Sequence, residues 1–416
     1  MKFSTLVLFL VGISAVIFGQ PSRIVGQNIL TGADQTTSYM PKLAKKKVAV
    51  FANQTSMVNG VHLVDTLRSL KIDVVKIFGP EHGFRGDAAA GDKVKSGKDA
   101  RTGLSIISLY GDHKKPTAAD LDGVDIIVFD IQDVGVRFYT YISSLEYVLE
   151  AALEYSIPII ILDRPNPNGF YVDGPVLKKS YKSFVGMQEV PVVYGMTIGE
   201  YGLMLAGEKW LSSKANTNYS AALLTNKKND DAFPVEVIRC QQYTHKSKYV
   251  LPIATSPNLA EMQAVYWYPS TCFFEGTLIS EGRGTDKPFQ YFGHPMLPKT
   301  LFSFTPKPNA GAKVSKCFYQ LCYGYNVSGS VDDIVKKTDG KLQLEYLLKV
   351  YNQFPGKDSF FLKNLFFDKL AGSDVLRKQI INGVSEKEIR KSWQADLKKF
   401  KAIRKKYLLY PDFENA

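Results

Sequence analysis

VAVFANQTSMVNGVHLVDTLRSLKIDVVKIFGPEHGFRG, residues 48–86, reads as a strand, a helix and a second strand that ends in a glycine-rich turn. The runs Val48–Ala52 and Val74–Phe78 are short, apolar and rich in β-branched residues, while Val61–Leu70 between them has helical apolar spacing. The alternation continues outward. Ser105–Leu109, Asp125–Asp130 and Ile157–Leu162 are further apolar runs, and Tyr141–Tyr155 repeats Leu145, Val148, Leu149, Ala152 and Leu153 along one helical face. Strands this apolar are buried on both faces, as in a parallel sheet covered by helices. The pattern predicts an α/β fold with a Rossmann-like, doubly wound, mostly parallel sheet. A helix over Thr197–Leu211 and apolar runs at Ala221–Thr225 and Val235–Cys240 are expected to extend it.

The remainder has a different texture. Leu251–Gly293 is rich in Pro, Gly and aromatic residues, Cys317–Val327 reads as a strand, and amphipathic helical patterns cover Val331–Tyr351 and Ser373–Tyr407. This predicts a smaller α+β C-terminal domain, giving 21–240 and 241–416 as two domains after a signal peptide at 1–20. A length of 416 residues agrees with two domains, and 45% apolar with 22% charged residues excludes a disordered chain. Met1-Lys2 and the apolar stretch Phe3–Phe18 have the form of a secretory signal. A periplasmic or secreted protein is therefore expected, with no stable membrane insertion once the signal is removed; oligomeric state stays open. The net charge of +12 points to an anionic partner, and export argues against nucleic acid. Lys398–Lys406 reads as a solvated helix face. The four cysteines are too few for a disulfide framework, and Cys317 and Cys322, five apart in an expected strand, are not expected to bond to each other.

Ligands of an open parallel sheet bind outside the carboxyl ends of its strands, so the residues after each apolar run carry the chemistry. These are Asn53-Gln54-Thr55-Ser56, Gly79-Pro80-Glu81-His82-Gly83-Phe84-Arg85-Gly86, Tyr110-Gly111-Asp112, Asp130 to Arg137, and Asp163 to Gly169. The first turn lacks the glycines of a dinucleotide site, and no phosphate-binding loop or nucleophile elbow occurs. No cofactor is expected. Asp130, Asp133 and Asp163 could hold a metal, but Arg137 and Arg164 stand close enough to pair with them, and no metal is expected.

The carboxylates remain. Glu81 lies between Pro and His in a glycine-rich turn that suits a side chain projecting into a cleft. Shielded by Phe84, it could hold a raised pKa and act as a general acid. Glu275-Gly276-Thr277 and Glu281-Gly282-Arg283-Gly284-Thr285 offer further carboxylates from the second domain, and a facing pair is what glycoside hydrolysis requires.

Taken together, GPEHGFRG (79–86), DIQDVGVRFYTY (130–141), LDRPNPNG (162–169), GMTIGEY (195–201), SPNLA (256–260), FFEGTLISEGRGTDKPF (273–289) and FDKLAGS (367–373) resemble the bacterial exo-β-N-acetylmuramidases over nearly the whole mature chain. The resemblance implies an exported glycosidase that releases N-acetylmuramic acid from the non-reducing ends of peptidoglycan fragments, with its cleft between a Rossmann-like and a smaller domain. It places the candidate catalytic glutamate at Glu81 and brings His82, Glu281 and Arg283 into the site. Glu281 or Asp130 would be base, nucleophile or electrostatic stabiliser. The lactyl carboxylate of a muramyl oligosaccharide calls for a cation, for which Arg85, Arg137, Arg164 and Arg283 are candidates. Sugar hydroxyl and acetamido groups call for Asn53, Gln132, Asn166, Asn168 and Asn258, and Phe84, Tyr139 and Tyr141 could cover a pyranose face. Two other readings fit the residue types: a binding protein for cell-wall saccharides without turnover, and an exported metal-dependent hydrolase using the Asp cluster.

Overall fold

The computed structural model describes residues 29–81, 83–86, 96–229 and 234–414. The expected signal segment and His82 lie outside the described residues. The first half of the chain contains strands β1 (Lys47–Ala52), β2 (Met57–Val58), β3 (Val61–His62), β4 (Asp73–Gly79), β5 (Gly97–Lys98), β6 (Ser105–Ser108), β7 (Ile126–Asp130), β8 (Ile159–Leu162) and β9 (Val235–Ile238). Seven of them form one sheet in the order β5-β6-β4-β1-β7-β8-β9, parallel throughout except for the short β5 edge. The strand order reverses direction at β1, between β4 and β7, as in a doubly wound dinucleotide-type fold.

Alternation along β1 shows why the strands are apolar throughout. Val48, Val50 and Ala52 enter one core and Ala49 and Phe51 the other. Helices α1 (Thr36–Leu43) and α2 (Leu63–Ser69) cover the first face through Tyr39, Leu43, Leu63, Val64 and Leu67. The second face is covered by α4 (Tyr141–Glu154) and α5 (Ile198–Gly207), which follow the one-turn α3 (Ala118–Leu121), and by α6 (Ser213–Asn229). Thr197 and Glu200 close a reciprocal capping box that sets the start of α5. The expected strand at Ala221–Thr225 is instead part of α6, because its apolar residues are too few and too short a run to outweigh the helix on either side. The helix expected over Val61–Leu70 begins only at Leu63, since Val61 and His62 pair with Met57 and Val58.

The core on the α4 face continues into the rest of the chain: Leu259, Trp267, Phe273, Phe292, Leu347 and Phe367 belong to the same buried cluster as Phe129 and Leu145. There α7 (Met262–Thr271) leads into a small antiparallel sheet of β10 (Tyr291–His294), β11 (Phe302–Phe304) and β12 (Cys322–Asn326), in the order β10-β12-β11. The strand expected at Cys317–Val327 starts only at Cys322. Cys317 precedes it in a turn with φ 58°, and all four cysteines are free thiols. The helical pattern expected from Ser373 is broken into three short helices that end in Gln394–Arg404. Lys398 and Lys399 are exposed there, but Arg404 is buried, donates to Gly195 O and pairs with Asp412. This interaction ties the C-terminal segment to the first half of the chain.

Buried charge in α4 gives the fold a pH dependence. Glu146 is 2% exposed and accepts from Gln188 Nε2 at 2.6 Å. Burial pushes its carboxyl up from 4.5 to about 7, against the opposing pull of Lys182 and Gln188. A raised folded-state pKa means that the native protein holds this proton more tightly than the unfolded chain. The contribution is therefore complete below about pH 4.5 and lost as pH rises through about 7. Glu146→Gln is expected to match the wild type in acid and to exceed it above neutrality by on the order of 2 kcal/mol, read from denaturant midpoints across that range.

Candidate active site

Glu81 follows β4 in the turn that Gly83 N closes onto Pro80 O at 3.0 Å. Its carboxylate accepts from Tyr110 Oη at 2.9 Å and from Thr140 Oγ1 at 3.0 Å. Tyr110 leaves the end of β6 and Thr140 immediately precedes α4, so three separate segments of the sheet domain orient this one side chain. Burial, then the Glu81 charge, holds the Tyr110 hydroxyl above its ordinary range, so it stays a donor. Both hydroxyls can also accept, so Glu81 can keep these hydroxyl partners whether or not it carries a proton.

Glu81 opens onto a cavity of about 230 Å³ walled by Phe138, Tyr139, Tyr141, Phe184, Tyr268 and Phe289. This is below the ~300–1,000 Å³ of drug-sized clefts and suits a small ring system. Glu275 and Arg283 also line it. Glu275 lies in the 3-10 turn Cys272–Gly276 that continues α7, and Arg283 Nη2 donates to Glu275 Oε1 at 2.6 Å. Gly276 lets this turn close on the segment after it, because a Cβ there would lie 2.4 Å from Phe367 Cα. Arg283 is flanked by Gly282 and Gly284, both at φ 81°, a left-handed pair that turns the guanidinium out of the chain direction. Its Nε lies 3.3 Å from Glu281, and its plane stands 5.1 Å from the Phe289 ring. Burial works against its charge, but Glu275 and Glu281 outweigh that and hold its pKa above the ordinary arginine value.

Of the residues singled out from the sequence, Glu81 and Arg283 meet in this cleft, and the aromatics Tyr139 and Tyr141 join them. The others serve different ends. Glu281 does not line the cleft. Its carboxylate is 3% exposed between Arg283 and Lys316, the latter at 2.8 Å, and although burial opposes ionisation these two cations hold its pKa low. It supports Arg283 from behind rather than presenting its carboxylate to the cleft. Asp130 does not reach the cleft either: it is fully buried in a two-point pair with Arg164 Nε and Nη2 at 2.6 and 2.9 Å. The same pair removes Arg164 from substrate binding.

Arg137 is also corrected: it is fully buried and donates to the carbonyls of Pro175, Val190 and Leu370. Arg85 stacks on Phe84 and pairs with Asp99 and Asp65 outside the cleft. Phe84 itself is buried beneath the sheet against His62, away from Glu81's cavity. Asn53 is buried, accepts from Thr55 and donates to Tyr141 Oη at 2.8 Å, so it orients a wall residue from behind. Gln132 donates to Asp133 O and Pro165 O, Asn166 to Met196 O, and Asn168 to Val134 O and Val265 O. Asn258 donates to Gly311 O on the far side of the loop whose Ser256 and Leu259 face the cleft. Among the candidate metal ligands, Asp133 accepts from Tyr194 and Gly135 N, and Asp163 from Tyr410, Thr197 and Gly199 N.

Tyr110 and Thr140 were not singled out from the sequence, and Glu275 was named there as a carboxylate but not preferred to Glu281. Tyr110 had a signal, as the first residue after an apolar run, and Glu275 had one in its glycine neighbour.

Comparison with known proteins identifies the family. Residues 48–263 match the model for the N-terminal part of exo-beta-N-acetylmuramidase NamZ, and residues 266–410 match the model for its C-terminal part. The peptidoglycan beta-N-acetylmuramidase NamZ of Bacillus subtilis (strain 168) is 38% identical over 412 residues, covering 92% of this chain and 91% of that one. Two crystal structures of DUF1343 family proteins from Bacteroides fragilis NCTC 9343 are similar. One is 44% identical with a TM-score of 0.81, covering 93% of this chain and all of that one. The other is 28% identical with a TM-score of 0.74, covering 92% of this chain and 99% of that one. On these matches, which run through both parts of the fold and both walls of the cleft, this chain belongs to the exo-beta-N-acetylmuramidase NamZ family and is a glycoside hydrolase.

Proposed function

We propose that this protein is exported and releases terminal N-acetylmuramic acid from peptidoglycan fragments, with Glu81 as general acid and Glu275 as the second carboxylate. The observation that carries the reading is one aromatic cleft lined by Glu81 from the end of β4 and by the Glu275–Arg283 pair from the segment after α7. Glu81 protonates the glycosidic oxygen as the bond to the anomeric carbon breaks, and its two hydroxyl partners hold the geometry through the change of charge. Glu275 balances the positive charge that develops at the anomeric carbon, or directs the group that attacks it. Tyrosine and phenylalanine rings cover the apolar faces of the sugar and exclude water.

Among the described residues that line the cleft, Arg283 is the one Arg or Lys. Its Nε and Nη2 face Glu281 and Glu275, which leaves N–H donors of the guanidinium for the lactyl carboxylate. The direct test of the reading is release of chromophore from a para-nitrophenyl β-N-acetylmuramide by the folded mature protein, and absence of release would sink it. Arg283→Met is expected to weaken competitive inhibition by N-acetylmuramic acid about 10- to 100-fold, the range for a charged hydrogen bond, and to leave inhibition by N-acetylglucosamine nearly unchanged. Equal losses for both sugars would remove Arg283 from lactyl recognition.

A further inference from the structure

The small antiparallel sheet has one face in the core and one face outside it. Residues paired across antiparallel strands share a face. Phe292 and Tyr325 are such a pair, as are His294 and Tyr323, and they turn inward, where Phe292 and Tyr325 stack against Tyr346 and His294 against Phe354. Tyr291, Phe302 and Phe304 belong to the other face, with Gly293 and Gly324 between them. The Tyr291 and Phe302 rings lie 4.9 Å apart, and Phe302 is 38% exposed. Phe304 is buried and its ring lies over Gly293, where a Cβ would meet it at 3.0 Å, so Tyr291 and Phe302 form the open border of this face. Close by, Tyr319 N bonds to Pro306 O, just past the end of β11, and Tyr319 is 71% exposed. Phe302 and Tyr319 thus leave two neighbouring aromatic rings in water, where folding alone gives no reason to place them.

Charge tells what covers them. From Lys287 to Val331 the chain has five lysines and no Asp or Glu. Lys299, Lys307 and Lys313 of this stretch are exposed. Position also matters. Ser280 exchanges backbone hydrogen bonds with Gly293 on the β10 edge, and a Cβ on Gly282 would meet Tyr291 O at 2.4 Å. The turn that carries Arg283 is thus the next strand-like segment of this sheet, and the face adjoins the cleft rather than lying across the molecule.

We infer that the Tyr291–Phe302 face, with Tyr319 beside it and its surrounding lysines, is a second contact surface for anionic glycan. It holds peptidoglycan polymer while a chain end occupies the cleft. The inference rests on the proposed substrate, and the physics is the same at a larger scale: pyranose rings offer apolar faces to flat aromatics, and stem-peptide carboxylates offer anions to the lysines.

The test is co-sedimentation of the full mature protein with purified insoluble peptidoglycan at low and high salt, run beside hydrolysis of the para-nitrophenyl muramide. Phe302→Ala with Tyr319→Ala is expected to weaken pelleting about tenfold, roughly the loss of one good aromatic contact pair. Lys299, Lys307 and Lys313 changed together to Gln are expected to abolish the salt dependence. Both variants keep wild-type kcat/KM on the small substrate and wild-type melting temperatures. Pelleting unchanged in both variants overturns the inference, as does a wild type that turns over the small substrate without binding the polymer; in either case the proposed activity still stands. Self-association of the wild type through this face, abolished by the same variants, also overturns it, as does binding to anionic vesicles with none to peptidoglycan.

Discussion

Glu81→Gln is expected to lower kcat/KM for the para-nitrophenyl muramide by about 10²- to 10⁴-fold, the usual contribution of a positioned general acid or base. The substitution is nearly isosteric. Tyr110 and Thr140 can each accept as well as donate, so the amide keeps hydrogen-bond partners at 2.9 and 3.0 Å, and the melting temperature is expected to stay within error of the wild type. What is lost is the proton that leaves with the aglycone. A para-nitrophenolate leaving group needs less protonation than a sugar alkoxide, so the loss is expected to be larger on a natural muramyl disaccharide than on the chromogenic substrate. That difference separates a general acid from a carboxylate that only positions the sugar, which would cost both substrates equally. Retained activity on the disaccharide would remove Glu81 from its role.

Asp130→Ala is expected to cost about 3–5 kcal/mol of stability, the range for breaking a buried ion pair from one side. Arg164 is 4% exposed and donates twice to Asp130. Without the carboxylate its largely buried guanidinium keeps, among the described residues, Met57 O at 3.1 Å. Domains are typically stable by about 5–15 kcal/mol, so the variant should show a large fall in its denaturant midpoint and poor expression. Replacing both residues, Asp130→Leu with Arg164→Met, is expected to recover most of the loss, because an apolar pair of similar volume removes the buried charge altogether. The double variant should also keep most of its activity per folded molecule. A rescued fold with activity as low as that of Glu81→Gln would return Asp130 to the chemistry.

These two carboxylates show how far the sequence could be read. Glu81 and Asp130 both stand at the carboxyl end of a parallel strand, and strand ends are where a doubly wound sheet binds its ligands. By that rule they are equivalent. They differ in direction. Asp130 is still within β7 and turns under the sheet onto Arg164, whereas Glu81 is two residues beyond the close of β4, in a turn that faces the gap towards α7. The asparagines and Gln132 misled for a related reason. Long irregular connections after strands leave backbone carbonyls and amides without partners, and buried polar groups must be satisfied. Side-chain amides do that work here, as Asn168 does for Val134 O and Val265 O. A polar residue in a strand-end loop is thus more often a backbone partner than a ligand contact.

The cations followed the same logic. Four arginines in four motifs were equal candidates, and three are placed in structure: Arg137 among carbonyls, Arg164 on Asp130, and Arg85 on Asp99. Only Arg283 reaches the cleft, and it does so because two left-handed glycines turn it there and Glu281 with Lys316 brace it from behind.

From its sequence alone this protein is committed to a parallel, doubly wound sheet, because runs such as Val48–Ala52 and Asp125–Asp130 are apolar at both side-chain parities and only a sheet covered on both faces can bury them. The glycine-rich turn that carries Glu81 is equally a property of local sequence. The tertiary structure alone decided which carboxylate faces Glu81. Glu275 and Glu281 sit six positions apart with similar glycine neighbours, and nothing local tells them apart. Packing separates their positions: Phe367 closing over Gly276 leaves Glu275 at the cleft, and Lys316, from a loop distant in sequence, seals Glu281 behind it.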